Sequence, residues 1–478
     1  MANPENLREN NLLRSLPSVD ELLGTNAAAA MGEEAGRTRL TRLARSTIEA
    51  RRKRIRNGDN LPATKAELLR NLGEELLAAW HAERNLRQRR VINAAGVVVH
   101  TNLGRAPLSD RAVKAITEEA AGYCTLEYDL ETGRRGRRGN YAESLAAEIC
   151  EAESAIVVNN CAAAALLVLS VFARGGETIV SRGELVEIGG DFRVPDVLEE
   201  SGTRLREVGT TNRTKLRDYE QAICEDTSMI LRVHPSNYRI IGFTETPEAR
   251  ELSSLAKRHK LLLYEDAGSG ALRDMTASGL DDEPVVAGSI RDGVDIVSFS
   301  GDKLLGGPQC GILVGRTDLI ERLRRSPLYR ALRVDKLIYS ALAATLESYF
   351  HDRAESDVPV QKMLAASREE LKVRTENFVK RARDTTSDFD FQIVEGKSAV
   401  GGGASPGFQP DTVLIAIRHA GLSAAEIERR FRLSNPPVIS RIADDQVLID
   451  LRTVAESEEC ELLRLVADAT KHAGPHVS

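Results

Sequence analysis

A chain of 478 residues is too long for one compact core and argues for two or three domains. With 42% hydrophobic and 28% charged residues it has the balance of a soluble globular protein, which excludes a disordered one. The net charge of −6 is uneven, since residues 1–90 carry +5 and the remainder −11. An acidic body with a basic head suits a polyanionic partner at the head, although a solvated helix face reads the same way.

The start, Met1–Leu13, is polar and unlike a secretion signal. Leu12, Leu13, Leu16, Val19, Leu22 and Leu23 then recur at near-helical spacing around a break at Pro17. Arg37–Arg56 predicts a second helix, with nine basic residues and one acid, Glu49. Thr64–Arg87 predicts a third, with Thr64 and Glu67 at capping-box spacing. Asn57-Gly58-Asp59-Asn60 is the turn between them. Residues 1–88 therefore read as a small helical domain.

From Val91 short β-rich runs alternate with helical stretches: Ala155–Asn159, Thr178–Ser181, Met229–His234, Leu261–Asp266, Asp295–Ser300 and Gly311–Val314. This rhythm predicts an α/β domain, residues 89–330, with a largely parallel sheet covered on both faces. Its longest apolar run, Cys161–Ala173 broken by Ser170, is shorter than the roughly 20 residues of a membrane span. Residues 331–478 read as a smaller α+β domain. It has helices at Leu332–Phe350 and Val360–Arg383 and strands near Phe391–Val394, Val413–Arg418, Val438–Arg441 and Val447–Leu451. A closing helix follows at Glu456–His472, and Gly401-Gly402-Gly403, followed by Pro406 and Pro410, is a loop. The six cysteines (Cys124, Cys150, Cys161, Cys224, Cys310 and Cys460) form no C-x-x-C pair. That disfavours a disulfide framework or a zinc site and fits a reducing cytoplasm.

Sheets of this kind bind ligands at the carboxyl ends of their strands. One strand ends in Glu265-Asp266-Ala267-Gly268, another in Ser300-Gly301-Asp302-Lys303 followed by Gly306-Gly307, and a third in Asn159-Asn160-Cys161-Ala162 before a small-residue helix. Each alone is weak: a lysine near glycines is usually a surface charge, and an Asp at a strand end is often a cap. In this order they are what pyridoxal 5′-phosphate requires. Lys303 forms the Schiff base, Asp266 pairs with the pyridine nitrogen, and the N–H groups at Asn160, Cys161 and Ala162 meet the phosphate. Neither a Walker-type phosphate loop nor a G-x-G-x-x-G after the first strand is present.

The runs RRVINAAGVVVHTNLGRAPLS (Arg89–Ser109), LEYDLETGRRGRRG (Leu126–Gly139), ELVEIGGDFRVPDV (Glu184–Val197), VGTTNRT (Val208–Thr214), HPSNYRIIGFT (His234–Thr244) and SFSGDKLLGGPQCGILVG (Ser298–Gly315) resemble bacterial selenocysteine synthase. That is the L-seryl-tRNA(Sec) selenium transferase family, and the likeness covers nearly the whole chain, departing slightly at Pro235 and Ala267. It implies a fold-type I pyridoxal-phosphate transferase with a helical N-terminal tRNA-binding domain. Seryl-tRNA(Sec) would become selenocysteinyl-tRNA(Sec) through a dehydroalanyl-tRNA intermediate, with selenophosphate as donor.

By position the resemblance makes Lys303 the Schiff-base lysine and Asp302 a catalytic acid. It makes Arg105, Arg138, Arg330 and Arg333 the holders of the phosphorus anion, a task suited to guanidinium forks. Arg330 and Arg333, three apart at a helix start, are expected to share a face. Arg51, Arg52 and Arg54 are the expected tRNA contacts. His100 and His234 are equally compatible with a place on the cofactor and with a satisfied place in the core. The family is cytoplasmic and forms a decamer, a ring of dimers, with no membrane or DNA partner. Two other readings remain open: a pyridoxal-phosphate lyase acting on a free amino acid or amino sugar, and a tRNA-binding protein with a vestigial catalytic domain.

Overall fold

The computed structural model describes residues 12–58, 64–188, 192–281 and 283–470. In its head, residues 12–14 are helical and are followed by α1 (Val19–Leu23), α2 (Asn26–Ala35), α3 (Arg37–Arg56) and α4 (Lys65–Asn85). Ser18 opens α1 through a capping box with Glu21. The alanine-rich α2, absent from the sequence expectation, starts at a Thr25 cap. Leu40, Leu43, Ala44 and Ile48 of α3 recur on one helical stripe and pack in one core with Leu68, Leu72, Leu76 and Trp80 of α4. Thr64 caps α4 by accepting from the Glu67 N–H at 3.2 Å. Asp59 and Asn60 of the expected turn lie outside the described residues, as do Met1–Asn11 of the polar start.

The chain divides into two compact units, residues 1–90 and 91–478. The second is built on a seven-stranded sheet of β1 (Ser154–Val158), β2 (Glu177–Ser181), β3 (Arg204–Val208), β4 (Thr227–Val233), β5 (Leu262–Gly268), β6 (Ile296–Ser300) and β7 (Gly311–Gly315), with helix α5 (Cys161–Phe172) after β1. The strand order is β1-β7-β6-β5-β4-β2-β3. All pairs are parallel except those of β7, which runs against both β6 and β1. Successive residues serve opposite cores: Ile230, Leu263 and Val297 face one, and Leu231, Tyr264 and Ile296 the other. The sequence reading missed β3 because Arg204, Arg206 and Glu207 are exposed on it. It is an edge strand, where charges are tolerated and guard against further pairing.

Helix α6 (Lys336–Phe350) begins at Asp335, whose carboxylate accepts from the Leu337 and Ile338 N–H groups, later than expected because Arg333 is extended. Tyr339, Leu342 and Leu346 enter the same core as one face of the large sheet. The next expected helix breaks before Ser367, which caps α7 (Arg368–Thr385) in a capping box with Glu370. The chain then forms β8 (Phe389–Lys397), β9 (Asp411–His419), β10 (Arg441–Ala443) and β11 (Gln446–Asp450), an antiparallel sheet in the order β8-β9-β11-β10. It shares a core with α7 and α8 (Glu459–Asp468); His472 of the expected closing helix lies outside the described residues. Residues 97–99 pair with 399–401, and residues 92–93 with 438–439. The start of this unit is thereby bound to its far end, and the glycine loop that follows residue 401 is carried to the large sheet.

Candidate active site

β5 and β6 lie side by side with Ser298 opposite Asp266, so their carboxyl ends deliver Asp266 and the loop holding Lys303 to one place. The Leu304 N–H donates to the Ser269 carbonyl at 3.0 Å, fixing the lysine loop to the turn after Asp266. Lys303 is buried, with 6% of its surface exposed. Its Nζ lies against the backbones of Gly268 and Gly403, and a Cβ on Gly403 would stand 2.6 Å from it. Asp266 Oδ1 receives the Ser298 hydroxyl at 3.2 Å, the Gly268 N–H at 3.2 Å and the Cys161 thiol at 3.4 Å. Burial raises the Asp266 pKa, opposed by the Lys303 ammonium.

Asn160 begins α5 and its side chain accepts from the Ala163 N–H at 2.8 Å, while Cys161 and Ala162 form a partly exposed first turn. The helix start approaches β7 closely, where a Cβ on Gly311 would lie 2.2 Å from the Asn160 carbonyl. A helix start of this kind suits a phosphate. Nearby, the His234 N–H donates to the Asp266 carbonyl. His234 Nε2 and Ser236 Oγ are buried without a hydrogen-bond partner. A confined lysine amine, a buried acid, a phosphate-ready helix start and the unpartnered Ser236 hydroxyl beside them fit pyridoxal phosphate.

The candidate arginines fall in three places. Arg105, at a left-handed φ of 63°, directs its guanidinium onto Asp302 Oδ2 at 2.7 Å, and the next N–H, of Ala106, donates to the Asp302 carbonyl. A non-glycine residue held at positive φ is strained and marks a constrained place. Arg138 and Arg333 both meet Glu127, at 3.2 and 3.6 Å, together with Arg135 at 2.6 Å. Arg138 Nε is buried without a partner. Arg333 bridges to Val158, and the Asn159 N–H donates to the Leu332 carbonyl, which brings this segment to the start of α5. The shared helical face expected of Arg330 and Arg333 is corrected: Arg330 is exposed in the last turn of the helix Pro327–Leu332, and Arg333 is its extended C-cap.

The family model described as L-seryl-tRNA selenium transferase matches residues 91–455, and one described as selenocysteine synthase N terminal matches residues 13–52. The chain is 45% identical over 469 residues to the L-seryl-tRNA(Sec) selenium transferase of Moorella thermoacetica, covering 98% of this chain and 99% of that one. It is 44% identical over 454 residues to that of Alkaliphilus metalliredigens, covering 95% and 97%. The chain belongs to the L-seryl-tRNA(Sec) selenium transferase family. A solved structure of D-glucosaminate-6-phosphate ammonia-lyase superposes with a TM-score of 0.56 at 20% identity, over 82% of this chain and 98% of that one. The selenium transferase fold here is that of fold-type I pyridoxal-phosphate enzymes.

One residue of this selenium transferase site escaped the sequence reading. Glu283 is buried; its Oε1 accepts from the Ser405 N–H and its Oε2 from the Ser269 hydroxyl, with His234 Nε2 3.6 Å away. It thus ties the turn after Asp266 to the glycine loop beside Lys303. An acid in a polar loop before Pro284 carries no local signal of that role. In the head, Arg51 and Arg54 both pair with Glu75, the latter at 2.6 Å, and Arg52 with Glu49 at 3.1 Å. Arg51 has only 11% of its side chain exposed, whereas Arg45, Lys53 and Arg56 are exposed on the same helix.

Proposed function

We propose that the chain is an L-seryl-tRNA(Sec) selenium transferase that holds pyridoxal phosphate on Lys303 and Asp266 and takes selenium from selenophosphate. The observation that carries this reading is the buried Lys303 amine, confined between Gly268 and Gly403 in the frame of Asp266. The group supplies, when bound, an electron sink for charge developing at the seryl Cα. Lys303 provides the amine that anchors it and, once free, the base that takes the Cα proton. Asp266 is the acid available to the ring nitrogen, and Asn160, Cys161 and Ala162 offer their helix start to the phosphate. Asp302 fixes the Arg105 fork, whose remaining N–H donors serve an oxyanion. Arg138 and Arg333, gathered by Glu127, supply further forks for the phosphorus anion, with Arg330 as an exposed fourth. The β-hydroxyl leaves as water, selenium from selenophosphate bonds to the β-carbon, and water takes the phosphoryl group as the P–Se bond breaks, releasing orthophosphate.

The same reading assigns tRNA contact to the head through Arg51, Arg52 and Arg54, and assembly as a decameric ring of dimers. It divides the chain into a tRNA-binding domain (1–88), a catalytic domain (89–330) and a small domain (331–478). A cytoplasmic setting is supported by six unpaired cysteines and by the absence of any described helix long and apolar enough to cross a membrane. Purified holoenzyme offered Ser-tRNA(Sec), Ser-tRNA(Ser) and free serine, each with selenophosphate, tests the proposal. Selenocysteinyl-tRNA from the first alone is the expected result. Turnover confined to free serine would make the protein a small-substrate lyase instead.

A further inference from the structure

A cavity of about 610 Å³ opens beside the lysine loops, and neither Lys303 nor any of the four candidate arginines lines it. Its wall is made by the carboxyl ends of β2, β4 and β5, by residues 211–214 after β3, and by the loop 405–408. Two runs that carried the family resemblance, VGTTNRT and HPSNYRIIGFT, contribute to its wall. It adjoins the chemistry directly. His234 on its wall donates its N–H to the Asp266 carbonyl, and Ser405 lies two residues beyond the Gly403 that abuts Lys303.

The lining selects a ligand class. Phe408 and Tyr238 present flat apolar surfaces, while Arg213 and Arg232 are already ion-paired with Glu245 and Glu265, and Glu184, Asp281 and Glu283 add further carboxylates to the wall. Glu265 has 1% of its side chain exposed; its Oε1 meets Arg232 at 3.3 Å, and its Oε2 is buried with no hydrogen-bond partner. A flat heteroaromatic ring bearing N–H or O–H donors satisfies both the apolar surfaces and the unpaired carboxylate oxygen. The volume falls within the roughly 300–1,000 Å³ of small-ligand pockets. Covalent connectivity supplies the source. A seryl group on tRNA is esterified to the ribose of the terminal nucleotide, so an amine that reaches Lys303 brings that nucleotide within a few bonds of it. We infer that this cavity receives the 3′-terminal adenosine of the seryl-tRNA, a step that rests on the seryl-tRNA reading above.

Equilibrium dialysis of the holoenzyme with 5′-AMP, with AMP competition against seryl-tRNA turnover, tests the inference. AMP is expected to bind and to compete. Phe408→Ala should weaken AMP binding and lower kcat/KM for seryl-tRNA by about 5- to 150-fold, the loss of one base-stacking contact. The near-isosteric Glu265→Gln should also weaken AMP binding, and it decides the matter alone if Phe408→Ala loses the visible absorbance of bound cofactor. Seryl-tRNA turnover without AMP binding or competition, or variants that bind AMP like the parent, would overturn the inference and leave the activity standing. AMP binding with no turnover of any seryl-tRNA would overturn the functional reading, and this inference with it.

Discussion

At Lys303 the chemistry needs a primary amine at one point, and the surrounding backbone leaves room for little else. Lys303→Ala should abolish both turnover and the visible absorbance of covalently held cofactor. A retained absorbance would place the attachment elsewhere. Glu184 makes a different case. It is fully buried, accepts from the Val233 N–H at 3.0 Å, and burial pushes its pKa up from 4.5 to about 7. A pKa raised on folding means that stability present below about 4.5 is lost as pH rises toward 7, because the folded state must then hold a desolvated charge. Glu184→Gln keeps an acceptor without that charge. Its melting temperature should match the parent at low pH and exceed it above pH 7, by the equivalent of up to about 3 kcal/mol. A constant difference across pH would show that the carboxyl does not titrate there.

The loop around Gly401–Ser405 matters through where it is carried. Strand pairing of residues 399–401 with 97–99, and the Glu283 carboxylate on the Ser405 N–H, hold Gly403 against the lysine at φ 82°. Gly403→Ala adds a methyl group at 2.6 Å from Nζ in a backbone region unfavourable to it. Cofactor affinity, read by titrating the apoenzyme, should fall, and the melt should shift by an amount equivalent to about 1–2 kcal/mol. The segment after the helix Pro327–Leu332 sets Arg333 beside Glu127 and the start of α5. Arg333→Ala should retain cofactor and bind seryl-tRNA, yet slow selenium transfer tenfold or more, since a charge-assisted contact is worth roughly 1.5–3 kcal/mol. Loss of cofactor from that variant would reassign the arginine to the cofactor phosphate.

On the scale of the whole molecule, the head has a core of its own, from Leu22 to Trp80, and the body has others. A chain lacking residues 1–88 should therefore still bind pyridoxal phosphate, because every cofactor candidate lies at or after Asn160. It should lose tRNA affinity, because the basic run leaves with the head while the body is acidic. In the intact protein tRNA affinity should fall as salt rises, through counterion release at phosphate contacts. Charge reversal at the exposed Arg52 and Arg54 should reproduce part of the loss, whereas Arg51, largely buried against Glu75, is changed to Gln to avoid setting two carboxylates together. Undiminished tRNA binding by the shortened chain would move recognition to the body.

The sequence by itself determined the two-sided sheet, the basic helix Arg37–Arg56 and the order of Asn160, Asp266 and Lys303 along three strand ends. These are local matters of hydrophobic period, capping and turn chemistry, which neighbouring residues decide. Only the tertiary structure decided that Glu283 joins Ser269 to Ser405, that the Gly401–Gly403 loop packs on Lys303, that Arg138 and Arg333 meet at Glu127, and that Glu265 faces a cavity with an unpaired oxygen. Each of these joins residues far apart in the chain. A contact of that kind leaves no periodic trace, because it is fixed by how whole strands and helices pack and not by what stands beside a residue in sequence.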